Sequence, residues 1–587
     1  MIVSKPPIGR HPTAPRRVLT LAAAALLCIF LLPAVAARAD TSSSLTVIGT
    51  SDVSDSGLMQ NVIEPEFHAA YPQFTFKYVG TASGTAITDA ETGVNTPSVL
   101  IVHAASLENQ FVAGGYSFLQ YGLAIFRNDF VLAGPNGDPA GVLTNAQNNI
   151  VQAFADIAAA GYNGGGTPKV TFVSRGGTPG TTVEEHQIWA LVAKLPALPP
   201  GLALCVVGAA DGGGLTPVSA ASGLNGLPCS ATGLPPASAL PSWYVATGLT
   251  QGPNVVAANA CAGYASGPGS CYVFTDRGTY DYLDSGLDPA GAVPGLFIFT
   301  RNNSASAPGG ADELINYFHA YVINPNKCIA CGVNLTAAED FTTFITSPAL
   351  QSQLKYYLDD TSDPDGAPFI ADASPIISEA GIPAKVALGK SITVTGSVTN
   401  AEPDYPVLAG KSVSVDEIEA GIPVVVASGH TTATGTYKIK FAPTSSGSYQ
   451  VATGEIAQIE KSTLTPPFGD LLSPGASAAV RLTVTGIPSS TSVSFTKVKV
   501  TKKGAVTVTG TLKPAPTAKG AKVELLALTK STHGRLKEIG HTSVGKGKTK
   551  FTIKAKLARR TTGVIQLEYG QKGKTSVFSK LRTIVVR

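Results

Sequence analysis

The stretch Phe172-Val173-Ser174-Arg175-Gly176-Gly177-Thr178-Pro179-Gly180-Thr181-Thr182-Val183-Glu184-Glu185-His186-Gln187-Ile188-Trp189 admits few folds. Residues 170–173 read as a short buried strand and 175–180 as a glycine-rich turn. From Thr182 onward the pattern is helical, with Thr181 as the cap and Glu184 three residues later. Unpaired backbone N–H groups at the positive end of a helix favour an anion, and Arg175 adds a planar fork of donors. An ordinary capped helix start gives the same pattern, so recurrence carries the argument. Residues 45–48 form a second apolar strand, followed by Gly49-Thr50-Ser51-Asp52-Val53-Ser54-Asp55-Ser56-Gly57 and a helix through Leu58, Val62, Ile63 and Phe67. Further strands at 74–79 and 99–102, the latter apolar throughout and ending at His103, complete an alternation of strands and helices. That alternation predicts an α/β fold with a largely parallel sheet and ligands at the carboxyl ends of its strands.

The start of the chain predicts export. Residues 1–39 hold a basic opening (Lys5, Arg10, Arg16, Arg17), an apolar run over 18–32 and Ala37-Arg38-Ala39, the form of a cleavable signal peptide. Cys28 follows Leu27 rather than a small residue, which argues against a lipid anchor, and no later segment reaches the roughly 20 apolar residues of a membrane span. Six cysteines remain, and in an exported chain an even count favours disulfides. Sequence neighbours suggest Cys205 with Cys229, Cys261 with Cys271, and Cys328 with Cys331, one of about 15 pairings. A zinc site on Cys328, Cys331, Cys261 and Cys271 is the alternative. Asp359-Asp360 with Asp363, Asp365 and Gly366 has the composition of a calcium loop but lacks its spaced final Glu, and reads as an acidic turn with no metal.

These blocks, taken in order, carry a family resemblance. Gly49-Thr50-Ser51 through Ser56-Gly57-Leu58, then 99–104, then Asn128-Asp129-Phe130-Val131 with Gly134-Pro135 and Asp138-Pro139-Ala140-Gly141, then Ser174-Arg175-Gly176 with Gly180-Thr181, then Trp243-Tyr244 and Thr275-Asp276-Arg277-Gly278-Thr279-Tyr280, resemble the motifs of the tungstate-binding solute receptors of ABC importers over about residues 45–375. The resemblance implies a two-lobed periplasmic-binding-protein-like fold of type II, with an oxyanion held between lobes and an ABC permease as partner. It assigns Thr50 and Ser51 to the first hydroxyl cluster, and Arg175 and Thr181 to the second loop. Hydroxyls, backbone N–H groups and one arginine suit a tetrahedral anion, whose oxygens only accept. Ser174, Gly180, His103, Trp243 and Arg277 are further candidates: His103 ends a strand, Trp243 and Tyr244 can line a cleft, and Arg277, which follows Asp276 in a short turn, can either make a structural ion pair or touch ligand. Trp189 reads as core. The loop departs from the family, which has an acidic residue and a further hydroxyl where this chain has Gly177, Thr178 and Pro179. A missing acceptor fits a fully ionised anion such as tungstate, molybdate or sulfate better than hydrogen phosphate.

The domain plan follows. A signal peptide over 1–39 precedes a solute-binding region over 40–380. Its first lobe covers about 45–127 and 300–375 and its second about 132–295, with 128–131 and 296–300 as candidate hinge strands. A Pro-, Gly- and Ser-rich insertion fills 195–240. Beyond Pro375 the period changes to two: segments 391–398, 412–415, 424–427, 437–441, 448–452 and 480–484, then 493–500, 505–512, 522–528, 549–555, 563–569 and 583–586, predict two all-β immunoglobulin-like sandwiches over 384–487 and 488–587. Residues 488–587 carry 22 Lys and Arg against 3 Glu and no Asp, a net of +19, while 40–487 carry a net of −20. Such a tail is expected to engage envelope polyanions, and the protein to be periplasmic, extracellular or cell-wall associated. The alternative reading is a surface adhesion or wall protein whose sandwiches do the binding. No Gly-x-Ser-x-Gly or His-Glu-x-x-His motif supports an enzyme, and no cofactor or nucleic acid is called for beyond the bound anion.

Overall fold

A computed structural model describes residues 43–587 except 288–291, 360–365, 401–406, 420, 462–467, 486–491, 514, 517–520, 530–535, 559–561, 571–576, 581 and 587. The signal peptide and most of the Asp359–Asp365 turn therefore lie outside the described residues. The chain divides into two compact units, one formed by Ser490–Lys572 with Ser576–Arg587 and the other reaching to Ser489.

The larger unit is built on one mixed sheet. Its strands are β1 (Ser44–Thr50), β2 (Thr75–Thr81), β3 (Val99–Val102), β4 (Gly122–Pro135) and β5 (Thr171–Ser174), with a separate hairpin of β6 (Ala203–Val206) and β7 (Leu215–Val218). β8 (Tyr244–Ala246), β9 (Cys271–Asp276), β10 (Leu296–Thr300), β11 (Ile315–Val322) and β12 (Ile370–Ala371) follow. The order β2-β1-β3-β11-β4-β9-β5-β8 places the two binding-loop strands, β1 and β5, on opposite sides of β4. β2, β1 and β3 pair in parallel, as do β9, β5 and β8, so β1, β3 and β5 each deliver a loop at the carboxyl end. β3 is Val99-Leu100-Ile101-Val102, fully buried on both faces, which is what a central parallel strand requires. Gly49 allows β1 to lie against it, since a Cβ there would meet the Ile101 carbonyl oxygen.

Each half of the sheet has its own core. Phe67, Phe126, Phe318, Phe341 and Phe344 pack the first lobe, and Phe154, Phe172, Trp189, Trp243 and Phe274 the second. β4 runs through both. β10 pairs with β4 at Leu132–Pro135, on the second-lobe half, and residues 301–314 connect it to β11. The sulfurs of Cys205 and Cys229, Cys261 and Cys271, and Cys328 and Cys331 are at bonding distance. No helix among the described residues is long and apolar enough to cross a membrane.

From Ile376 onward every regular element among the described residues is a strand. One sandwich packs a three-stranded sheet (Ile376–Ile377, Ile392–Thr399, Thr436–Phe441) on a five-stranded one around Val394, Val413, Val415, Tyr449 and Leu482. The terminal unit repeats the plan around Val508, Val523, Leu525, Ile553 and Leu567. Sequence periodicity missed the hairpin of Ile456–Lys461 and Phe468–Leu472, which leaves the sandwich and pairs with β4 at Gly122 and Leu123. Asp470 of this hairpin accepts from His319 Nε2 at 2.7 Å, and Glu108 meets His319 Nδ1 at 2.7 Å and accepts from Tyr321 at 2.8 Å.

Burial opposes a charge on His319, but its two carboxylate partners outweigh that and raise its pKa well above the usual histidine value. A raised folded pKa gives stability that is full below the unfolded value and is lost as pH rises through the folded one. His319→Ala leaves two carboxylates buried without their cation, at a cost of about 3–5 kcal/mol. Urea unfolding at pH 6 should show this loss, and it should shrink at strongly alkaline pH. A pH-independent loss would show that the pair's charge contributes nothing.

Candidate functional site

The loops after β1 and β5 meet over the end of β3. Thr50 ends β1, and residues Ser51–Asp55 form one helical turn capped by the Thr50 hydroxyl, which accepts from the Asp52 N–H at 3.5 Å. On the other side the chain leaves β5 at Ser174, turns through Gly176 and Gly177 at positive φ, and enters the helix Gly180–Val192. The N-cap is Pro179, which makes no side-chain capping bond. Thr181 is therefore not the cap. It lies inside the helix because its hydroxyl is taken by Asp52 Oδ2 and Gln251 Oε1, both at 3.2 Å.

Five of the residues singled out in the sequence converge here. Arg175 donates through Nη1 to Asp52 Oδ1 at 3.0 Å and to Gln251 Oε1 at 2.8 Å, and through Nη2 to the Ser51 hydroxyl at 3.0 Å. Thr50 Oγ1 donates to Asp52 Oδ1 at 3.1 Å and lies 3.0 Å from His103 Nε2, which is itself 3.1 Å from Asp52 Oδ2. Thr50, Ser51, Asp52, His103, Arg175, Thr181 and Gln251 are all buried. The cluster is closed by contacts between the loops: Gly84 N–H donates to the Thr178 carbonyl at 2.9 Å, and Gly180 N–H to the Ser83 hydroxyl at 3.2 Å. Gly180 is needed for close approach, since a Cβ would fall 2.4 Å from the His103 ring. A cleft of about 570 Å³ is lined by His103 and Gly180, with Gln187, Lys194 and Asn316 also on its wall.

The other candidates have structural places. Ser174 donates to Glu185 Oε2 at 2.7 Å and accepts from the Gly176 N–H at 3.1 Å, so it shapes the turn. Trp243 packs in the second-lobe core against Gly161, and Tyr244 donates to Glu185; neither lines the cluster. Arg277 makes a structural ion pair. It donates through Nε to Asp129 at 2.9 Å and to the carbonyls of Gly366 and Ala367, tying β4 to the segment before β12.

Two members escaped sequence reading. Gln251 opens the helix Gln251–Ala260 with no local signal, and its Nε2 donates to Thr275 Oγ1. Asp52 was legible only as one acid in a hydroxyl-rich turn. It is an acid at the cluster that the comparison of positions 177–179 with the family's loop does not take into account. Burial works against its charge, but His103 and then Arg175 outweigh it and hold its pKa down to about 2. Burial, followed by the Asp52 charge, pushes the neighbouring Asp276 up to about 7.

Comparison with known proteins comes to the same region of the chain. Residues 34–349 match the family described as PBP superfamily domain. Over 317 residues, 54% of this chain and 70% of the relative, the sequence is 26% identical to a Haloferax volcanii protein named for anion binding with an ABC transporter. Over 351 residues, 58% of this chain and 94% of the relative, it is 24% identical to the tungstate-binding protein TupA of Peptoclostridium acidaminophilum. The solved tungstate-binding protein TupA from Desulfovibrio alaskensis G20 aligns with a TM-score of 0.36 and 23% identity, covering 56% of this chain and 99% of that one.

Behind the cluster, Glu185 holds Ser174, Tyr244 and Trp189 together. Burial pushes its pKa up to about 7, with those three hydrogen bonds pulling part of the way back. Because the folded value lies above the unfolded one, the unfolded chain loses this proton first, and stability falls as pH rises from about 4.5 to about 7. The size of that fall is about 3 kcal/mol. Glu185→Gln keeps the hydrogen bonds without the proton, so the difference in urea stability between pH 5 and pH 8 should narrow in the variant. An unchanged difference would mean Glu185 is ionised throughout.

Proposed function

The chain belongs to the PBP superfamily, and from that premise we propose that it is an extracytoplasmic receptor for a tetrahedral oxyanion, of the tungstate, molybdate, sulfate or phosphate class, serving an ABC importer. The observation that carries this reading is the cluster itself. Thr50 at the end of β1, His103 from the β3 loop, and Arg175 and Thr181 from the second lobe surround one pair of carboxylate oxygens. A set of donors that holds two anionic oxygens between lobes has the chemistry an oxyanion needs, and closure around it is the ordinary hinge mode of a two-lobed receptor. The relatives are named as binding proteins, which agrees with a site rich in donors.

Calorimetric titration of the full chain with tungstate, molybdate, sulfate and phosphate tests the reading. At least one should bind with single-site stoichiometry, and Thr181→Val should weaken it by about tenfold, the worth of one hydrogen bond to a charged partner. Arg175→Lys should not restore what Arg175→Ala loses, because a point charge lacks the planar fork. Arg175→Ala should also destabilise the protein, since it leaves Asp52 buried beside His103 without its guanidinium. Absence of binding by all four anions at millimolar concentration would overturn the receptor reading.

The terminal sandwich supports envelope attachment. Lys502, Lys503, Lys546, Lys548 and Lys550 are exposed on its turns and strand ends, in a segment whose net charge is +19. The full chain should pellet with cell envelopes at low salt and be released at about 0.5 M salt, where screening acts within a few ångströms. Changing those five lysines to glutamine should reduce the retention. Binding that ignores salt would return this unit to the role of a spacer.

A further inference from the structure

The group held by the candidate site is the chain's own Asp52. Oδ1 accepts from Arg175 Nη1 at 3.0 Å and Thr50 Oγ1 at 3.1 Å, and Oδ2 accepts from Thr181 Oγ1 at 3.2 Å and faces His103 Nε2 at 3.1 Å. Two of these partners stand in the first lobe and two in the second. The carboxylate thus bridges the lobes through the same groups that the receptor reading gives to a soluble anion. It does so with no solvent exposure. A carboxylate has roughly four acceptor positions, and here four partners take them. No position remains to accept a proton from a ligand, which separates this arrangement from one in which an acid recognises a protonated anion. The Arg175 fork is also engaged elsewhere, donating to Gln251, Ser51 and the Leu249 carbonyl.

We propose that Asp52 is a tethered occupant of the oxyanion site, competing with the soluble anion for Arg175, Thr181, Thr50 and His103 and so setting the affinity. The inference rests on the oxyanion reading above and adds its regulation. A competitor fixed to the same chain acts at an effective concentration of millimolar or more. A soluble anion gains the donors only in the fraction of molecules whose Asp52 side chain has turned away, and its apparent affinity is lowered by that fraction. A second consequence follows from the carboxylate's size. With Asp52 truncated, a free small carboxylate can take its place.

The test uses the full chain in three forms: native, Asp52→Ala and Asp52→Asn. Calorimetry with tungstate and sulfate should show at least one of them binding Asp52→Ala about tenfold or more tighter than the native chain, in line with a millimolar tethered competitor. Melting temperature measured against rising sodium formate should climb for Asp52→Ala and stay flat for the native chain at matched ionic strength. Asp52→Asn keeps the side chain's volume and carries the comparison if Asp52→Ala does not fold; its affinity should change in the same direction. If the native chain binds neither anion while a variant does, the occupant is confirmed and the receptor reading falls. If the native chain binds and both variants bind no tighter, or more weakly, Asp52 is a contact to the ligand and the inference is overturned while the receptor reading stands. If neither the native chain nor the variants bind an anion, and formate leaves the melting temperature of all three unchanged, both are overturned.

Discussion

A single strand carries the architecture. β4 gives its first residues to β11, β12 and the hairpin from the sandwich, and its last to β9 and β10. A strand interior must find partners for its N–H and C=O groups on both edges, and fourteen residues of β4 do so by changing neighbours along their length. The two half-sheets are consequently parts of one ladder, each with its own aromatic core. The loops at the ends of β1, β3 and β5 converge because those strands lie on either side of this shared member.

Much of this was legible. Strand, glycine turn and helix succeed one another twice, and that order places Thr50, Ser51, Arg175 and Thr181 at strand ends without any knowledge of contacts. The period-two patterning after Pro375 likewise announces sandwiches. Local signals failed where a side chain answers to a distant partner. Thr181 looks like a helix cap because it precedes a helical run with Glu184 three residues on, yet Asp52, 129 positions away, takes its hydroxyl. Arg277 follows an aspartate in sequence but pairs with another, Asp129, because Asp276 is turned to cap its own helix at the Thr279 N–H.

Asp52 shows the same limit with greater effect. An acid among threonines and serines looks like surface polarity on a turn, and composition gives no reason to bury it. Only tertiary structure supplies the guanidinium, imidazole and hydroxyls that make burial of its charge affordable. The three close cysteine pairs are the contrary case, since the pairs that are neighbours in sequence are the ones whose sulfurs lie at bonding distance.

The hairpin Ile456–Lys461 and Phe468–Leu472 bears on how the molecule can move. Its ladder to β4 and its contact with His319 weld the first sandwich to the first lobe, whose Ala124 belongs to the sandwich's own core. A load applied to the sandwich is therefore carried by backbone hydrogen bonds pulled in shear and is not absorbed by a slack linker. The first lobe and the sandwich therefore form one mechanical piece, joined by backbone bonds and a shared core, against which a swing of the second lobe would have to be measured.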